Sequence, residues 1–285
     1  MNKPKFIIGI GTQRAGSTLL HRILDQCAGV FMHPVKELHY FDTLFGVRNA
    51  EFLVKFSNNQ MDRELDRLLN ENDHGYIANK RYKCYLRTNW MLSRQPVDQI
   101  EYLDLYRPCI MGKEFIGEIT PEYMILPDEG VKSMAETVGK DASIILLSRD
   151  PVERFISSFK LLKAYGGGVN VIENFDEELR QVIDKLPGWI EQQRQLSDYE
   201  SALRNYRKYF DNVCFIQYEK LIVNDSKTIA DIENCIGINI DQEKLGGVLS
   251  KKINQIGETG EVSLETLSIL KDLFKAETTY HDSII

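Results

Sequence analysis

Three features of the sequence predict a three-layer α/β fold of the P-loop type with a central, mainly parallel sheet. Residues Gly11 to Thr18 read GTQRAGST, a phosphate-loop pattern lying between an apolar run, Phe6-Ile7-Ile8-Gly9-Ile10, and an amphipathic segment with Leu19, Leu20, Ile23 and Leu24. Strand, glycine loop and helix in that order are the context such a loop requires. Strand-like and helix-period segments then alternate along the chain, the pattern of βα units. Each readable strand is followed by polar residues, where open α/β sheets place their ligands.

The first strand is the apolar run before the loop, and the second is Val30-Phe31-Met32, ending at His33-Pro34. From about Ala50 to Asn72 the chain is charged and helix-like. From Tyr76 to Gly112 it is irregular and aromatic, with Tyr82, Tyr85, Trp90, Tyr102 and Tyr106. That pattern suits neither a core strand nor a core helix, so the region of about 50–112 reads as a helical and aromatic insertion. Two roles fit it, a cover over a substrate cleft or a surface excursion with packed aromatics. Further strands are expected at Phe115 to Gly117, Ser143 to Leu147 and Val213 to Gln217, and helices at Val152 to Ala164, Phe175 to Lys185, Trp189 to Tyr209, Ser226 to Cys235 and Ser263 to Ala276. Gly166-Gly167-Gly168 marks a loop within one domain, since strand and helix patterns continue on both sides. The whole of 1–285 reads as a single domain.

The bulk numbers agree with a folded, water-soluble chain. Its 285 residues are enough for a substantial core, and 43% hydrophobic with 27% charged residues is ordinary for a globular protein. A net charge of -7 argues against a general nucleic-acid binder. The five cysteines are scattered without C-x-x-C spacing, which indicates neither a disulfide framework nor a zinc site and fits a reducing cytoplasm. No stretch approaches the roughly 18 apolar residues of a membrane span.

Chemistry concentrates in three segments. In the glycine loop, Ser17 stands where the nucleotide-hydrolysing pattern has lysine. Backbone N–H groups at a helix start hold a tetrahedral oxyanion whatever the side chains are. Transfer of a γ-phosphate, however, needs the lysine and an acidic magnesium ligand, so a kinase reading is disfavoured and no metal is called for. The second segment, Ser148 to Ser158, reads SRDPVERFISS. It places Arg149 at a strand end, Pro151 in the first helical turn and Ser157 about two turns on, where Arg149 and Ser157 can converge on one phosphate. A salt bridge from Arg149 to Asp150 or Glu153 is the plainer alternative. The third, His33 to Asp42, reads HPVKELHYFD. Glu37 in it can take a proton from an attacking hydroxyl and Lys36 can stabilise anionic oxygens, or the two can form a solvated surface pair.

Taken together, these segments resemble the sulfotransferase family that uses 3′-phosphoadenosine 5′-phosphosulfate, in its carbohydrate and bacterial branches. Members carry a glycine loop of the lysine type, then K-E-x-H-[FY]-F-D, here Lys36 to Asp42, and R-D-P-x-E-R-x-x-S, here Arg149 to Ser157. The run Gly117 to Tyr123, GEITPEY, resembles their G-E-x-[ST]-P-x-Y, and Phe215 to Leu221 resembles a later strand and turn. The likeness spans about residues 5 to 275. It implies that Thr12, Gln13, Arg14, Ala15, Gly16, Ser17 and Thr18 cradle the 5′-phosphosulfate, that Arg149 and Ser157 hold the 3′-phosphate, and that Glu37 is the leading candidate for general base. His39 is a second catalytic group and the competing base, or a packed, hydrogen-bonded histidine. Lys252 lies where relatives close over the nucleotide, and a plain solvated basic turn fits it equally. Two positions depart from the pattern: Arg14 replaces a lysine, keeping the charge as a planar fork, and Ile119 replaces a polar or basic residue.

The implied activity is in-line transfer of a sulfuryl group to an acceptor hydroxyl, with a nucleotide donor and no membrane span. The acceptor is a sugar, a lipid or polyketide hydroxyl, or a small alcohol or phenol. A non-catalytic nucleotide-binding protein is the remaining alternative, and the joint presence of Glu37, Arg14, Arg149 and Ser157 argues against it.

Overall fold

The computed structural model describes residues 4–72, 74–107, 109–110, 112–165, 174–250 and 261–284. Five strands form its sheet: β1 (Lys5–Gly9), β2 (Phe31–Met32), β3 (Phe115–Ile119), β4 (Ser143–Ser148) and β5 (Asn212–Gln217). All neighbours pair in parallel and the spatial order is β2-β3-β1-β4-β5. All five lie where the apolar runs of the sequence predict them.

Burial on both sheet faces explains why those runs are nearly continuous. Phe6, Ile8, Ile144 and Leu146 face one hydrophobic cluster, while Ile7, Ile145 and Leu147 face a second. The alternation is the period of two that a pleated strand imposes, here apolar on both sides, as a parallel sheet covered by helices requires. Helices α1 (Ser17–Arg22), α11 (Ser226–Ile236) and α12 (Gln242–Leu249) cover the second face. The first is covered by α2 (Tyr40–Leu44), α5 (Asp128–Val138), α9 (Tyr199–Tyr206) and the tyrosine-rich turns near Tyr102 and Tyr106. A third cluster joins α6 (Pro151–Tyr165), α7 (Phe175–Lys185) and α8 (Pro187–Gln195) to α13 (Leu264–Leu273) and to Phe274, which precedes α14 (Lys275–Ser283). The short helix α10 (Tyr218–Ile222) follows β5 directly.

The expectation for Tyr76 to Gly112 is corrected in part. Helix α3 (Ala50–Asn70) forms as predicted, but Lys80–Arg94 is also a regular helix, α4, packed against it. Asn79 caps α4 by accepting the Arg81 N–H at 2.8 Å, and no glycine or proline interrupts the helix. Tyr82 and Tyr85 reach back to Glu64 and Gln60 of α3, whereas Tyr102 and Tyr106 are core residues, 2% and 0% exposed.

Two long predicted helices are each broken once. Trp189 to Tyr209 divides into α8 and α9 at the 196–198 turn, where the fully buried Arg154 guanidinium donates to Gln193 O, Gln193 Oε1 and Ser197 Oγ. Ser263 to Ala276 divides at the buried Phe274, and the second piece continues to Ser283. Gly166 to Gly168 lie outside the described residues.

The topology fixes where a ligand sits. From β1 the chain runs outward to β2, returns to β3 beside β1, then crosses to β4 on the other side. The carboxyl end of β1, from which the glycine loop springs, is therefore the switch point of the sheet.

Candidate active site

The glycine loop is anchored from below. The Thr12 N–H donates to Leu147 O at the end of β4, and Thr12 Oγ1 donates to Leu196 O, both at 2.5 Å. Thr12 is fully buried, so its hydroxyl holds the loop rather than facing solvent. Ala15 is also buried, its N–H closing a turn onto Thr12 O at 3.2 Å. Gly16 has φ of +86°, and a Cβ there would meet the Tyr218 ring at 2.6 Å. Only glycine suits both the left-handed backbone and that close approach. Helix α1 begins at Ser17, directing the first N–H groups of the helix at the space above the loop.

Two groups of side chains gather around this loop. On one side, Arg14 Nε donates to Ser157 Oγ at 2.9 Å and Arg149 Nη1 donates to Arg14 O at 3.2 Å. Arg14, Arg149 and Ser157 come from the loop, the end of β4 and the second turn of α6, as their spacing predicts. The Arg149–Glu153 pair also exists, at 3.5 Å, through the other guanidinium nitrogen. Arg149 lies over the Tyr218 ring as well, 5.4 Å from its centroid.

On the other side, Lys36 Nζ donates to Thr18 Oγ1 at 2.9 Å and to Ser17 Oγ at 3.2 Å. The loop lacks the lysine of its pattern, and an ammonium arrives from the segment after β2 instead. Burial pulls the Lys36 ammonium below the usual lysine range, partly offset by the charges of Glu37 and Glu122. Glu37 Oε1 lies 3.9 Å from Lys36 Nζ.

His39 links Glu37 to the buried Asp42. Its Nε2 lies 3.3 Å from Glu37 Oε2, and its Nδ1 lies 2.6 Å from Asp42 Oδ2. Burial opposes a charged ring, but hydrogen bonds to Asp42 and Glu37 and the charges of Asp42 and Glu122 outweigh it and raise the imidazole to about 10. At neutral pH both ring nitrogens carry hydrogen and donate. Glu37, His39 and Glu122 bring ligand-type atoms within 4.8 Å of one another.

Behind this cluster lies a second buried acid. Glu118 of β3 accepts from Tyr102 Oη at 2.6 Å and Tyr123 Oη at 3.0 Å through Oε1, and from Thr120 Oγ1 at 2.8 Å through Oε2. Tyr123 Oη in turn accepts the Tyr40 N–H at 3.0 Å, so Glu118 steadies the backbone just after His39. Burial raises Glu118 to about 7 against the lowering effect of its three hydrogen bonds. Tyr123 thus completes the turn after β3 and does not face the loop.

Of the predicted residues, Arg14, Ser17, Thr18, Glu37, His39, Arg149 and Ser157 converge at the switch point. Gln13 turns toward Glu122, its amide 3.5 Å from Oε1. Lys252 lies outside the described residues. Sequence reasoning did not single out the partnership of Lys36 with the loop hydroxyls, the role of Asp42 or the packing of Tyr218. Only the His39–Asp42 spacing of three at a helix start carried a local signal.

Residues 4–242 match the sequence profile of the Sulfotransferase family. A search of curated proteins returns no match. Among solved structures, a sulfotransferase from Alicyclobacillus acidocaldarius superposes with a TM-score of 0.59 at 18% identity, covering 100% of this chain and 96% of that one. The sulfotransferase STF9 from Mycobacterium avium superposes with a TM-score of 0.53 at 13% identity, covering 99% and 77%. At these identities the likeness is one of fold.

Proposed function

The chain belongs to the sulfotransferase family, and on that premise we propose that it moves a sulfuryl group from 3′-phosphoadenosine 5′-phosphosulfate to an acceptor hydroxyl by in-line displacement. One observation carries the reading. Arg14, Arg149 and Ser157 meet on one side of the glycine loop, and Lys36 and Glu37 meet on the other. A donor with a phosphate at each end of its ribose needs two such groups, separated by the loop.

The residues suit that donor. The left-handed Gly16 and the start of α1 make a cradle for the 5′-phosphosulfate, and Arg149 with Ser157 forms a charge-assisted pair for the 3′-phosphate. When bound, the donor supplies an activated sulfuryl group whose leaving oxygen gathers negative charge. In this reading Lys36, over the Ser17 and Thr18 hydroxyls, stabilises that charge, and Arg14 adds its own from the Ser157 side of the loop. Glu37 takes the acceptor's proton as the new O–S bond forms and the bond to the leaving oxygen breaks, and the chain releases adenosine 3′,5′-bisphosphate. His39, charged and donating to Glu37 and Asp42, orients the base and is not itself the base. The kinase alternative finds less support, because the Ser17 and Thr18 hydroxyls bind Lys36 and Asp150 Oδ1 accepts the Glu153 N–H at 2.8 Å.

Turnover of the donor with a panel of sugar, lipid or polyketide-type and small-alcohol acceptors tests the proposal, read as adenosine 3′,5′-bisphosphate release. Glu37→Gln should lower that release by roughly 10²- to 10⁴-fold with donor affinity intact. Wild-type turnover in the variant would remove Glu37 from the mechanism.

A further inference from the structure

One carboxylate beside Glu37 has no part in the reaction as described. Glu122 stands in the turn Pro121–Ile125 after β3, with its side chain 12% exposed. Its Oε1 meets the Gln13 amide at 3.5 Å. Its Oε2 is shut off from water, has no hydrogen-bond partner among the described residues, and lies 4.0 Å from His39 Nδ1.

The count of donors shows why that oxygen matters. Three carboxylates face one imidazole, which has two N–H groups to give: Nδ1–H goes to Asp42 and Nε2–H to Glu37. Glu122 Oε2 is left without a ring N–H. A buried carboxylate oxygen without a hydrogen bond is unfavourable, and the Gln13 contact would be served equally well by a neutral amide. What only an acid supplies here is a negative charge beside the His39 ring.

We propose that Glu122 is a positioning residue for proton transfer, acting through His39: its charge adds to those of Asp42 and Glu37 in holding the proton on the imidazole, so that Nε2–H stays on Glu37 Oε2 and leaves Glu37 Oε1, beside Lys36, as the oxygen that takes the acceptor's proton. The inference rests on the reading of Glu37 as base. When Glu37 takes that proton it loses its charge, and Asp42 and Glu122 are the charges that remain on the imidazolium. His39 therefore stays a donor and does not compete for the proton. The acceptor O–H bond breaks, its hydrogen goes to Glu37 Oε1, and no further reactant is needed.

The charged groups around Glu122 are few. Lys36, Glu37, His39 and Asp42 face it from the segment after β2. The glycine loop contributes the neutral Gln13, and Glu118 of the adjoining strand stands near Asp42. Burial and the charge of Glu37 raise the Glu122 carboxyl, and the charge of His39 opposes that rise.

The test is the titration of the His39 ring, followed by NMR in the free enzyme. In Glu122→Gln the midpoint should fall by at least about half a pH unit, in line with loss of one nearby charge. The acidic limb of the pH–rate profile should move to lower pH. Glu122→Asp, which keeps the charge, should hold the midpoint nearer to wild type. An unchanged midpoint in Glu122→Gln overturns the proposal, and so do equal shifts in Glu122→Gln and Glu122→Asp, which would mark a packing effect. If instead Glu37→Gln keeps full turnover, the base assignment fails, while the His39 midpoint still reports on Glu122 independently.

Discussion

Lys36 Nζ lies 2.9 Å from Thr18 Oγ1, although the two residues belong to different βα units on the same side of the switch point. The ammonium that the loop sequence lacks is thus delivered from the segment after β2, by the residue preceding Glu37. A single peptide connects the cation over the loop to Glu37, the proposed base.

Lys36→Met keeps the length of the side chain and removes its charge. It should weaken adenosine 3′,5′-bisphosphate by about tenfold, the cost of one charge-assisted contact. Calorimetry of the variant checks this. Wild-type affinity would mean that the Lys36 contact with the loop is only structural.

Arg149→Ala should separate the two ends of the nucleotide. Arg149 donates to the Arg14 carbonyl and stands beside Ser157's partner, away from Lys36. Its loss should cost roughly 1.5–3 kcal/mol for adenosine 3′,5′-bisphosphate and little for adenosine 5′-phosphate. Equal losses for both ligands would assign Arg149 a structural role, through its pair with Glu153.

The fold predicts a pH dependence of stability centred on Glu118. Its carboxyl is raised from 4.5 to about 7 by burial, so the folded state binds the proton more tightly than the unfolded chain. The stability it contributes is whole below pH 4.5 and is lost as pH rises through 7. Glu118→Gln can still accept from Tyr102 and Tyr123 and can donate to Thr120. The loss of unfolding free energy between pH 4.5 and 7.5 should therefore be smaller in the variant by on the order of 2–3 kcal/mol. Denaturant titrations at the two pH values measure it, and parallel losses in both proteins would contradict it.

The central strands β1 and β4 were legible because they are buried on both faces and so are apolar along most of their length. The break in the helix predicted for Trp189 to Tyr209 was not, since its cause is Arg154, more than thirty residues earlier, whose buried guanidinium gathers the Gln193 and Ser197 oxygens. Helix α4 was hidden by its aromatics, which pack on α3 instead of following one apolar stripe. Within the site, Arg149 and Ser157 could be paired because they share one strand-helix turn. The Lys36–Thr18 and Glu122–His39 relationships depend on strand order, with β3 beside both β1 and β2, and no spacing along the chain encodes that.

Binding of the nucleotide product tests the central claim most directly. Calorimetric titration of the wild-type protein with adenosine 3′,5′-bisphosphate, adenosine 5′-phosphate and ATP with magnesium compares the three possible donors' frameworks under one condition. Adenosine 3′,5′-bisphosphate should bind at least about tenfold more tightly than either of the others, because Arg149 and Ser157 find a partner only in its 3′-phosphate. Tighter binding of ATP with magnesium, or equal binding of all three, would contradict it.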